Sequence, residues 1–161
     1  MNKSISLSIL ALAGTLLMSS CASGPSYSSS VNSQGLKPAP GKGLVLIYWD
    51  GGMVGRATTW DVYANDQLVT HGMRRGGFCS IQAQPGPLKL ETKQGWNWAS
   101  LAGLNLINQV KKDQPTLTIA PNQTYFMEMA FGTWREKITQ VSAEQGKEDI
   151  ADCHWVNKPS S

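Results

Sequence analysis

Charge is scarce in this 161-residue chain: Asp, Glu, Lys and Arg make up 16% of it, and the formal net charge is +3. The small excess has no clustered source, the longest basic runs being the pairs Arg74-Arg75 and Lys111-Lys112. A nucleic-acid face needs a broad basic patch to gather phosphates, so nucleic acid is not an expected partner. Histidine is nearly absent, with two residues, and there are three cysteines. His71, His154, Cys79 and Cys153 match no zinc-ligand spacing, and the adjacent Cys153 and His154 would face opposite sides of a strand. No metal or other cofactor is expected. The glycine-rich stretch Gly51 to Arg56, "GGMVGR", lacks the strand–loop–helix setting and the Lys-Ser/Thr ending of a phosphate loop, and reads as a loop between strands. No nucleophile stands beside a marked base, so no catalytic residue is expected either.

Long apolar runs are also missing, with one exception. Ile5 to Met18 is apolar or small and uncharged, and Lys3 precedes it. Its roughly 14 residues fall short of the ~20 needed to cross a bilayer comfortably. They fit the apolar core of a secretory signal followed by small residues at a cleavage point. At its end, Met18-Ser19-Ser20-Cys21 resembles the lipobox of bacterial lipoproteins: an apolar residue, two small residues, then Cys. The resemblance implies a diacylglycerol thioether on the Cys21 sulfur, cleavage before Cys21 and acylation of the new amino group. Residues 1–20 would then be a lipoprotein signal peptide. One acyl chain binds a membrane marginally, at about 0.8 kcal/mol per buried CH₂, and further chains make attachment stable. The residue after the cysteine is Ala22 rather than Asp. By the same resemblance this implies the outer membrane, with the domain facing the periplasm, and the membrane as a partner through the Cys21 lipid.

Residues 22–42 contain six Ser, three Gly and three Pro. That composition offers little apolar surface to offset ordering entropy. The lipidated Cys21 and residues up to 42 are therefore expected to form a flexible tether, with a root-mean-square span of about 25 Å. From Gly43 the pattern changes to short apolar segments separated by turn residues, and residues 43–157 read as one domain. "GLVLIYW" at 43–49 is β-branched and aromatic, a buried strand. "WDVYA" at 60–64 alternates, Asn65-Asp66 offers a tight turn, and "QLVTH" at 67–71 returns as a hairpin arm. "FCSIQA" at 78–83, "LKLETK" at 88–93, "TLTIA" at 116–120, "TYFMEMAF" at 124–131 and "KITQVSA" at 137–143 complete the set. Seven or eight short strands with turns between them predict a mainly β protein, an antiparallel sandwich or barrel.

Two segments depart from strand character. Residues 142–152, "SAEQGKEDIAD", read as a helical turn. Residues 95–114 make a long insertion whose apolar positions recur every third residue, which admits a short helix. Trp96, Trp98 and Leu101 lie in it. They read either as a lid over one end of the domain or as an exposed patch that binds an envelope protein or glycan.

The series "PAPGKGLVLIYW", "WDVYANDQLVTHG", "GGFCSIQAQPGPLKLET", "IAPNQTYFMEM" and the closing "DCHW" resembles the bacterial domain of unknown function 2846 family, over residues 38 to 155. Its members are largely small lipoproteins or exported proteins. The resemblance implies an immunoglobulin-like β-sandwich and brings no functional residues with it.

With Cys21 acylated, Cys79 and Cys153 remain, in an oxidising compartment. The simplest expectation is one disulfide between them; two buried free thiols are the alternative. The expected function is a non-enzymatic, membrane-tethered sandwich acting as an interaction or structural module. An envelope enzyme, of hydrolase or thiol–disulfide type, or a small-ligand binder is the alternative.

Overall fold

The computed structural model describes residues 24–34, 36–51, 59–94, 114–131 and 136–156. Among them the chain forms two helices and nine strands. Strands β1 (Gly43–Trp49), β2 (Trp60–Ala64), β3 (Gln67–Met73), β4 (Gly77–Ala83) and β5 (Gly86–Gln94) come first. Strands β6 (Thr116–Ile119), β7 (Thr124–Phe131), β8 (Glu136–Val141) and β9 (His154–Trp155) follow. Helix α1 (Tyr27–Gln34) precedes the first strand, and helix α2 (Ala143–Asp149) lies between β8 and β9.

The strands build a five-stranded sheet of order β8-β7-β1-β4-β9 and a four-stranded sheet of order β3-β2-β5-β6. The protein is a β-sandwich, as the strand spacing predicts. The expected all-antiparallel pairing is corrected in the larger sheet. There β1 runs parallel to β7 and β9 runs parallel to β4, while β1–β4 and β7–β8 are antiparallel. The long connection through the other sheet is what returns β7 beside β1 in the same direction.

The main core lies between the sheets. Val45, Ile47 and Trp49 of β1 meet Cys79 of β4 and Met127 and Met129 of β7 from one side. Trp60 and Val62 of β2, Met73 of β3, Leu88 and Leu90 of β5, and Leu117 and Ile119 of β6 close it from the other. Period-two alternation puts the intervening residues of the larger sheet on its outer face. Leu44, Leu46, Tyr48, Phe78 and Phe126 form a second cluster there with Ile150, Cys153 and Trp155. Strand β1 is thus buried along its whole length, on both faces.

The turns follow local chemistry. Asn65 and Asp66 adopt φ of 47° and 64°, the left-handed pair that closes a two-residue hairpin between β2 and β3. Ser142 caps α2, its side chain accepting from the Gln145 N–H at 3.2 Å.

The segment expected to be a flexible tether is seated on the domain from Gly24 onward. Tyr27 N–H donates to the Cys153 carbonyl at 2.7 Å, and Trp155 N–H donates to the Pro25 carbonyl at 2.9 Å. The Tyr27 ring meets Phe78 edge-on at 5.6 Å, Leu36 packs on the outer cluster, and Ser30 is fully buried. Farther on, the Gln82 side chain bonds the backbone of Lys37 and Ala39, each at 2.9 Å. Two apolar side chains and a ladder of backbone bonds offset the ordering cost that composition alone suggests is prohibitive.

Candidate functional site

Among the described residues, the outer face of the larger sheet gathers several ionisable side chains with shifted proton affinities. It grows from the register of β1 and β7. Parallel pairing sets Tyr48 beside Glu128, both on the outer face. Asp50 follows directly after β1. Helix α2 crosses above and brings Asp149, whose Oδ2 accepts from the Tyr48 hydroxyl at 3.0 Å. Gln145, one turn earlier in α2, donates its side-chain Nε2–H to Asp149 Oδ1 at 2.5 Å. The helix sits close because position 146 is glycine. A Cβ there would fall on the Phe126 ring.

Three carboxylates share this neighbourhood, and two of them, Asp50 and Glu128, hold their protons more tightly than usual. Burial first, then the Asp149 charge, raises Asp50 above the usual aspartate value, and Arg75 opposes the shift. Burial, then Asp50 and Asp149, raises Glu128, and Lys137 opposes it. Burial, with Asp149 as the hydrogen-bond acceptor, pushes the Tyr48 hydroxyl far upward. Tyr48 is therefore a permanent donor and cannot act as a base at physiological pH. The group can hold protons and fix α2. Among the described residues, no three His, Cys, Asp or Glu side chains are arranged to hold a metal ion.

A seam runs along the β9 edge of the same sheet. Ser26 and His154 form an isolated antiparallel bridge, and His154 Nδ1 lies 2.7 Å from the Gly24 carbonyl. A carbonyl only accepts, so Nδ1 carries the hydrogen. A Cβ at position 24 would fall on the Trp155 carbonyl, so glycine is required for this approach. The other histidine, His71, lies on β3 in the smaller sheet, and its Nδ1 is 2.8 Å from Asp61 Oδ1.

The expected Cys79–Cys153 disulfide is not formed; both are free, buried thiols. Cys79 points between the two sheets, whereas Cys153 belongs to the cluster on the outer face. The five-stranded sheet lies between the two side chains, and a disulfide needs Cβ atoms that face each other at about 4 Å. Each thiol is satisfied as a small apolar residue. Burial pushes Cys79 strongly upward, and burial with Asp50, Asp152 and Asp149 pushes Cys153 up to about 12.

Cys21, Trp96, Trp98 and Leu101 lie outside the described residues, as does the suggested helix of the 95–114 insertion. Sequence reasoning missed the carboxylate group and the seam. The uninterrupted apolar run of β1 is the one signal that pointed there, since a strand buried on both faces needs a second cover. The chain matches no protein-family model, no curated protein and no solved structure.

Proposed function

We propose that the protein is a lipid-anchored, non-enzymatic β-sandwich of the bacterial cell envelope, acting as an interaction or structural module. The observation that carries this reading is the pattern Met18-Ser19-Ser20-Cys21 at the end of the chain's one long apolar run. It supports a lipid on Cys21 and, with Ala22 behind the cysteine, a location at the outer membrane facing the periplasm. The burial of the other two thiols supports it. Cys79 and Cys153 are each 2% exposed, with their thiolate forms disfavoured, so neither suits redox exchange or nucleophilic attack. The hydrolase or thiol–disulfide alternative loses its cysteine on the same ground. An envelope protein or glycan docking through Trp96, Trp98 and Leu101 remains the proposed partner class for the 95–114 insertion.

The test is metabolic labelling with an alkyne-tagged fatty acid in a bacterial host. The full chain is expected to take up the label, and Cys21→Ser is expected to lose it and accumulate as the longer precursor. Equal labelling of the two would sink the lipid assignment.

A further inference from the structure

If Cys21 carries the lipid, the first seated residue of the domain follows it almost at once. Only Ala22 and Ser23 separate Cys21 from Gly24. Three Cα-to-Cα steps reach at most about 11 Å. Gly24 is held firmly: its carbonyl meets the His154 ring, and its α-carbon is pressed against the Trp155 backbone. The next residues continue the hold through the Trp155–Pro25 and Tyr27–Cys153 backbone bonds. A chain fixed at Gly24 cannot act as a 20-residue tether.

We propose that the domain rests on the bilayer surface by one defined side, the β9 edge of the five-stranded sheet, with the β8 edge turned away from the lipid. This rests on the lipid anchor proposed above. The strand order gives the geometry. Strands β9 and β8 are the two ends of the order β8-β7-β1-β4-β9, four strand spacings apart. At about 4.8 Å per spacing the edges are separated by about 19 Å. The lipid's attachment point lies within about 11 Å of Gly24, which sits against the outer side of the first edge. The reach is therefore too short to turn the β8 edge toward the membrane while the seam stays closed. The occupant of this side is the head-group layer of the membrane that holds the lipid.

The experiment uses the full chain, processed and lipidated in a bacterial host, then reconstituted into vesicles of phosphatidylcholine and phosphatidylglycerol that contain a head-group-quenching lipid. A fluorophore is attached at Asp152→Cys, in the turn before β9, or at Gln140→Cys, on β8; both positions are exposed, and the native thiols are buried. Quenching is expected to be several-fold stronger at 152 than at 140. Inserting about ten Gly/Ser residues between Ala22 and Ser23, a span of about 17 Å, is expected to erase most of that difference. Equal quenching at the two positions with the natural linker would overturn the proposed orientation while leaving the anchor intact. Failure of the full chain to enter the vesicle fraction, or entry undiminished in Cys21→Ser, would overturn the anchor itself and the orientation with it.

Discussion

The hydroxyl of Tyr48 donates to Oδ2 of Asp149 at 3.0 Å, across 101 positions of sequence. It ties the middle strand of the larger sheet to the last residue of α2. An aspartate at a helix C-terminus is unfavourably placed against the helix dipole, and this bond offsets that cost. Helix α2 is thereby held over the outer cluster, where Ile150 and Cys153 follow it into the sheet.

Tyr48→Phe keeps the ring in its buried site and removes the donor. The loss of one hydrogen bond to a partly buried carboxylate is expected to lower stability by about 1–2 kcal/mol. Urea denaturation of the domain checks this. An unchanged midpoint would mean that the bond contributes nothing net.

Stability should also depend on pH through the carboxylates. Glu128 and Asp50 titrate above their usual values in the folded protein because of burial and mutual repulsion. A group whose folded value is raised contributes stability that is fully present below its unfolded value. That contribution is lost as pH rises through the folded value. The domain is therefore expected to gain stability on mild acidification from neutrality toward the upper carboxylate range. Asp50 is the more exposed of the two and its partial burial is offset by solvent screening, so Glu128 should dominate. In thermal melts between about pH 7 and about pH 4.5, Glu128→Gln should flatten the profile and raise stability at the neutral end. A steeper profile in the variant would contradict the assignment.

Most strands were legible because their two faces differ, and alternation or a continuous apolar run reports that directly. Tyr125, Phe126, Met127, Glu128 and Met129 read as a strand, and they form one. Nothing in that run marks Glu128 as a member of a carboxylate group; only its register against Tyr48 places it among other acids. The cover of the outer face was harder to read. Helix α1, with sequence "YSSSVNSQ", has almost no apolar stripe. It is preceded by a seam of backbone bonds whose partners lie more than a hundred residues away. Backbone bonding leaves no side-chain signature in a sequence. Counting cysteines failed for a related reason. Parity suggests a pair, but burial of each thiol in a separate cluster satisfies both without one.

Thiol counting tests that correction. In Cys21→Ser lacking residues 1–20, neither remaining cysteine should react with an aromatic disulfide reagent in the native state. Two thiols per chain should titrate in denaturant without any reductant, because Cys79 and Cys153 are free and buried. Added reductant should leave the unfolding midpoint unchanged. Zero thiols in denaturant, with two appearing on reduction, would restore the disulfide.

Gly146 sets how closely α2 approaches the sheet. Alanine is the better helix former by about 1 kcal/mol, so on propensity alone Gly146→Ala should stabilise the domain. The added methyl would fall on the ring of Phe126, which is 2% exposed and packed among Leu44, Leu46 and Ile150. A buried ring in a filled cluster cannot swing away, and overpacking of this kind costs about 1–3 kcal/mol. The packing cost wins, and a net loss of about 1 kcal/mol is expected. Because the displaced helix carries Asp149, the Tyr48 bond should weaken too. A double-mutant cycle between Gly146→Ala and Tyr48→Phe should then show less than additive losses. Full additivity, or a stabilised Gly146→Ala, would mean that α2 does not sit at the depth the Phe126 contact defines.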